Sequence, residues 1–151
     1  MIMIRSIVLT YDKYHFIANH MLLCYEKLWP DNPFVFIIPF QKLKTAFSID
    51  KSKYKLIQTP PDIKSTVLEL LSEINDEEII YWCMDDRYPI TLDINVVSVI
   101  YKWFIDNSDH MDGVSYTLSS KDNSIKYSHI FSQSIKCCIT FLTVLQTSLS
   151  S

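Results

Sequence analysis

The stretch Ile79-Ile80-Tyr81-Trp82-Cys83-Met84-Asp85-Asp86-Arg87-Tyr88-Pro89-Ile90 sets the reading of this chain. Its first six residues show no polar alternation, which predicts a short strand buried on both faces. Two adjacent carboxylates follow at the carboxyl end of that strand, and Pro89 comes three positions later. In open α/β sheets the carboxyl ends of the strands are where ligands bind. The acids therefore stand where chemistry is expected.

The residues before this stretch supply the partners a buried strand needs. Residues 6–10 predict a first strand that ends at Tyr11-Asp12-Lys13-Tyr14. Between 16 and 29 the apolar residues Phe16, Ile17, Met21, Leu22, Tyr25, Leu28 and Trp29 recur at three- and four-residue steps, as on one face of a helix. Pro30 and Pro33 stop it. Residues 34–38 read as a second strand closed by Pro39, residues 41–52 as loop with at most one helical turn, and residues 54–58 as a third strand. Asp62 or Ser65 can cap a helix whose stripe is Val67, Leu68, Leu70, Leu71 and Ile74. A polar turn at 75–78 leads into the strand at 79–84.

Downstream, Asp93 can cap a helix with Val96, Val97, Ile100, Trp103 and Phe104 on one side. A loop at 107–113, a strand at 114–118, a turn at 119–123 and a weak strand at 125–131 follow. Residues 135–149 are apolar but fit neither period. Strands alternating with helices argue for an α/β class with a mainly parallel open sheet and flanking helices. The expected division is a domain at 1–131 and an irregular or degenerate tail at 132–151.

Composition removes several alternatives. A net charge of −3 leaves no basic footprint for a nucleic-acid backbone. No apolar run reaches the roughly 18 residues of a transmembrane helix, although peripheral attachment to a membrane is compatible with the sequence. The start reads as a first strand rather than a signal peptide. The cysteines Cys24, Cys83, Cys137 and Cys138 lack CxxC spacing, so a zinc site has little support, and Cys83 reads as a buried reduced thiol. His15 and His20 do not share a helix face, His110 and His129 stand alone, and all four read as ordinary surface residues. Gly113 is the single glycine, so there is neither a GxGxxG turn nor a P-loop. Any phosphate must be held another way.

The acid pair offers that way. Neighbouring carboxylates repel, and in a partly buried site one tends to take up a proton. Mg²⁺ or Mn²⁺ removes the conflict, because such ions prefer oxygen ligands and are held by one or two carboxylates together with substrate phosphates. The competing reading is a solvated turn in which Asp85 or Asp86 pairs with Arg87.

The stretch Ile80-Tyr81-Trp82-Cys83-Met84-Asp85-Asp86, the first-strand end Leu9-Thr10-Tyr11-Asp12-Lys13-Tyr14 and the helix end Leu28-Trp29-Pro30-Asp31-Asn32-Pro33 resemble GT-A-type glycosyltransferases of bacterial surface-polysaccharide biosynthesis. The likeness covers roughly residues 6–118, the nucleotide-sugar-binding half of such a domain. It implies that Thr10, Tyr11 and Asp12 flank the nucleotide, with Asp85 and Asp86 as the metal motif. Arg87 stands where a DxD motif would have its last acid, and it could neutralise phosphate itself. The implied partners are a nucleotide-diphosphate sugar and a saccharide or lipid-linked acceptor, and the implied compartment is the cytoplasm.

Members of this family continue into an acceptor-binding half that supplies the base of inverting enzymes. Here Asp109, Asp112 and Asp122 lie in loop-like stretches and read as solvated, so the catalytic residue stays unassigned. Two other functions compete with an active transferase. One is a truncated, non-catalytic nucleotide-sugar-binding remnant. The other is a flavodoxin- or receiver-like domain with Asp12, Asp85 and Asp86 as a magnesium pocket and Lys121 as a loose match to the expected lysine. Tyr88 is the aromatic expected to stack on donor or acceptor, Trp82 is expected in the core, and Lys64 reads as solvated.

Overall fold

The computed structural model describes residues 3–75, 78–107, 113–115 and 138–140. The elements in order are β1 (Ile4–Leu9), α1 (His15–Leu28), β2 (Phe34–Phe40), β3 (Tyr54–Gln58), α2 (Ile63–Ser72), β4 (Ile80–Met84), α3 (Ile94–Asp106), β5 (Gly113–Ser115) and β6 (Cys138–Thr140). Single 3-10 turns at Asp12–Tyr14 and Lys51–Lys53 precede α1 and β3. The strands form one sheet in the order β3-β2-β1-β4-β6-β5, with every pairing parallel. The class is α/β.

Strand alternation explains the missing polar face. On one side of the sheet Ile4 and Val8 of β1, Phe34, Phe36 and Ile38 of β2, and Tyr81 and Cys83 of β4 pack with α1 and with Phe104 of α3. On the other side Ile7, Ile37 and Ile80 pack with Leu70 of α2 and with Ile74, and Trp82 leans on the same cluster. Because both faces are covered, apolar residues occupy both phases of each strand. Trp82, expected in the core, is partly buried and packs against its edge. Phe34 and Tyr81 stack across the first face at 4.4 Å, and the Tyr25 and Tyr81 hydroxyls bond at 2.6 Å.

The strand at 54–58 and the strand into the acid pair are found where the sequence puts them. Other expectations need correction. β2 runs through Pro39 to Phe40; its pairing with β1 ends at Ile37, so the proline stands where only β3 remains alongside. The connection at 41–52 is part of the core, since Phe47 and Ile49 are buried against the α1 layer. Phe16 and Leu68 were expected inside and are exposed. In α3 the packed residues are Val97, Tyr101, Phe104 and Ile105, whereas Val96 and Trp103 face outward. A helix apolar nearly all round does not announce its buried side.

His15 is only 2% exposed and is no surface histidine. Its Nε2–H donates to the Pro39 carbonyl at 2.9 Å, and Nδ1 meets the Thr45 hydroxyl at 2.9 Å. It thus ties α1 to the end of β2 and to the following loop. Cys83 is buried as expected, 3.1 Å from the Ser6 hydroxyl, and burial pushes its thiol up to about 12.

β6 falls within the stretch that showed neither period, and it lies between β4 and β5. The expected turn at 119–123, the strand at 125–131, most of the expected strand at 114–118 and nearly all of the tail lie outside the described residues, as do Asp109, Asp112, Lys121, Asp122, His110 and His129. No helix among the described residues is long and apolar enough to cross a membrane.

Candidate functional site

The chain leaves β1 to build β2 and β3 on one side, then returns to lay β4 on the other side of β1. The crevice at the carboxyl ends of β1 and β4 is therefore the switch point at which open α/β sheets bind ligands. Leu9 pairs with Met84 in the β1–β4 register, so Thr10 and Asp85 leave the sheet side by side. The buried Thr10 hydroxyl donates to Asp85 Oδ2 at 2.7 Å.

Asp85 and Asp86 are the central residues of a tight turn, closed by the Arg87 N–H on the Met84 carbonyl at 3.0 Å. Half of the competing reading is thus present: the acids do form a turn. The other half is not, because among the described residues Arg87 makes no ion pair with either acid. Burial pushes the Asp85 carboxyl above the usual carboxylate range; the Thr10 bond pulls it back, and the charge of Asp86 raises it again. Asp86 and Arg87 are exposed.

Asp12 does something different from its neighbours. Its carboxylate accepts from the backbone N–H groups of Gln41 at 2.8 Å, Lys42 at 2.7 Å and Leu43 at 2.9 Å. Burial alone would raise its carboxyl, yet these three amides outweigh it and hold the group below the usual range. Gln41 completes the link: its Oε1 accepts from the Asp12 N–H at 3.1 Å and its Nε2 donates to Thr59 at 3.2 Å. Nothing local in the sequence marks Gln41, because its partners are 29 and 18 residues away. Tyr11 lies between Thr10 and Asp12 in extended backbone. Tyr88 is half-buried, with the His20 ring edge-on at 4.7 Å, and Lys64 is exposed in the first turn of α2.

Of the expected site residues, the fold brings Thr10, Asp85 and Asp86 together at the crevice. It turns Asp12 toward the β2–β3 loop instead. The donor set at the crevice is hard oxygen only, with an acid pair whose repulsion a divalent cation would relieve, so it fits Mg²⁺ or Mn²⁺. Among the described residues no third His, Cys, Asp or Glu joins the pair. Substrate phosphates and water commonly complete the coordination of Mg²⁺ beside one or two carboxylates. No protein-family model, curated protein or solved structure matches the chain.

Proposed function

We propose that the protein binds a nucleotide-diphosphate sugar at the β1–β4 crevice and transfers the sugar to an acceptor hydroxyl, as a GT-A-type glycosyltransferase. The observation that carries this reading is the Thr10–Asp85 hydrogen bond at the switch point, beside a second acid that has no cationic partner among the described residues. Thr10 fixes Oδ2 of Asp85 and so orients the carboxylate, whose remaining lone pairs could meet a cation. Asp86, exposed on the same turn, adds a second oxygen ligand. Arg87 follows immediately and can meet phosphate oxygens directly. A bound Mg²⁺ or Mn²⁺ supplies charge stabilisation for the departing diphosphate. Thr10 and Tyr11 flank the nucleotide in this reading. The acceptor is a saccharide or a lipid-linked saccharide, and the cytoplasm is the compartment where such donors are made.

The receiver-like alternative is disfavoured by strand order. A flavodoxin-like sheet runs 2-1-3-4-5, whereas here β2 separates β3 from β1. The test is thermal stability with UDP- and GDP-sugars, with and without Mn²⁺, followed by a transfer assay. Metal-dependent stabilisation that disappears in Asp86→Ala is expected. Stabilisation or transfer unchanged by that substitution sinks the metal assignment, and binding without turnover identifies a donor-binding protein that does no transfer.

A further inference from the structure

The carboxylate of Asp12 draws two distant connections into one surface. It takes the backbone N–H groups of Gln41, Lys42 and Leu43, and His15 bonds Thr45 two residues further on. The segment after β1 and the segment after β2 are thereby fixed against each other at the carboxyl edge of the sheet. Their outward residues are Lys13, Tyr14, Phe16, Lys42, Leu43 and Lys44, all exposed. Phe16 is 72% and Leu43 68% exposed, far more than a packing role requires. Lys13 lies over the Tyr14 ring at 4.6 Å.

Charge on this corner opposes that of the whole chain. The protein carries −3, yet the only acid in residues 11–25 and 41–49 is Asp12, and backbone amides take up its carboxylate. The connection after β2 goes on to Asp50, whose carboxylate accepts from Ser52, with Lys51 and Lys53 beside it. Lys13, Lys42 and Lys44 therefore leave these connections with lysines in excess over acids, interleaved with three exposed apolar or aromatic side chains. We infer that this corner is a docking surface for an anionic phospholipid bilayer, with Lys13, Lys42 and Lys44 on the headgroups and Phe16 and Leu43 entering the interface. Basic residues near such a surface and apolar side chains within it add independently, and two such signals together give peripheral attachment. A free polyanion would use the lysines but has no need of Phe16 or Leu43.

The inference does not depend on the sugar-transfer reading, and its test keeps the two apart. The full chain is floated with phosphatidylcholine vesicles, with and without phosphatidylglycerol. Binding to the anionic vesicles alone is expected, weakening as salt rises. The variant K42Q/K44Q is expected to lose roughly twenty-five-fold in partitioning, about five-fold per lysine. Leu43→Ser is expected to reduce the binding that survives high salt. Both variants alter exposed side chains and keep the amides that Asp12 uses, so an unchanged melting temperature verifies their fold. Asp85→Asn is expected to bind vesicles like the wild type. Equal binding to neutral vesicles, no binding to anionic ones, or undiminished binding by K42Q/K44Q overturns the proposal. So does a K42Q/K44Q variant that keeps vesicle binding but loses stabilisation by nucleotide sugar, since the lysines then serve that ligand.

Discussion

Asparagine at position 85 is expected to stabilise the protein in the absence of ligand and to abolish its response to Mn²⁺. Asp85→Asn keeps an oxygen that can accept from the Thr10 hydroxyl, now 2.7 Å from Oδ2; it removes the charge and makes the other oxygen an amide donor, which the exposed turn lets water satisfy. That charge is unfavourable in the fold, first because burial strips water from it and then because Asp86 adjoins it. Both effects are reduced by screening, because the group is half-exposed. Two unit charges about 6 Å apart in water interact by roughly 0.7 kcal/mol, and exposed pairs stay within about 1 kcal/mol. The expected gain is about 0.5–1 kcal/mol, or a rise of roughly 1–4 °C in melting temperature for a domain of this size.

The sign of the pH dependence is fixed by the raised carboxyl. A group that is harder to ionise in the fold than in the unfolded chain weakens the fold once it is ionised. The advantage of the variant is therefore full at neutral pH. It closes as pH falls through the raised value of Asp85 toward its ordinary value of 3.8, below which both states are protonated. With Mn²⁺ and a saturating nucleotide sugar the order reverses, because ligand at about 100 times its Kd adds roughly 2.7 kcal/mol to the wild type alone. Scanning calorimetry between pH 3 and 8 measures both arms. A variant that melts at or below the wild type without metal at neutral pH refutes the reasoning, for Asp85 would then be a stabilising turn residue.

Asp12→Asn is expected to destabilise by about 1 kcal/mol after allowance for exposure, since an amide places a donor against three donors. As the folded-state value of Asp12 is lowered, its contribution is present above the ordinary value of 3.8 and is lost as pH falls through the lowered value; urea denaturation and exchange of the Lys42 and Leu43 amides report it. Leu70→Ala, at a fully buried site, is expected to cost about 2–5 kcal/mol, while Leu68→Ala on the same helix is near neutral; equal losses would mean that the face of α2 is misassigned. Cys83 is expected to resist alkylation until the protein unfolds, as its buried thiol is pushed up to about 12, and peptide mapping of iodoacetamide-treated protein tests this.

The first four strands were legible because each carries its own signal: β4 is an unbroken apolar run, and β3 lies between a basic loop and Pro60; β6 was not, because its apolar stretch follows neither period. The site was legible in its parts, and the topology joined them. Thr10 ends one strand and Asp85 follows another, and parallel register alone makes them neighbours. His15 carried a signal that its residue type obscured. It stands in line with Ala18, Leu22, Tyr25 and Trp29 at steps of three and four, all of them buried, so its position was a core position. Phe47, Ile49 and the Asp12 contacts were beyond reach for another reason. Irregular backbone has no period, and these contacts span about 30 residues.

Asp12 also bears on where an anionic ligand can sit. In folds that cradle phosphate at the end of the first strand, glycines let backbone N–H groups converge on the anion. This chain has one glycine, far from that position, and its β1–α1 connection is the 3-10 turn Asp12–Tyr14. The converging N–H groups nearby belong to Gln41, Lys42 and Leu43, and the Asp12 carboxylate already fills them. A phosphate placed there would have to displace a covalently tethered anion held by three hydrogen bonds. Among the described residues, the free positions at the carboxyl ends of β1, β2 and β4 are the Asp85–Asp86 turn, which admits an anion only through a cation, and the exposed side chains of Arg87 and the lysines. Binding of a nucleotide diphosphate without metal would therefore point to Arg87 or the lysine corner, and Arg87→Gln separates these: it abolishes the first mode and leaves the second intact.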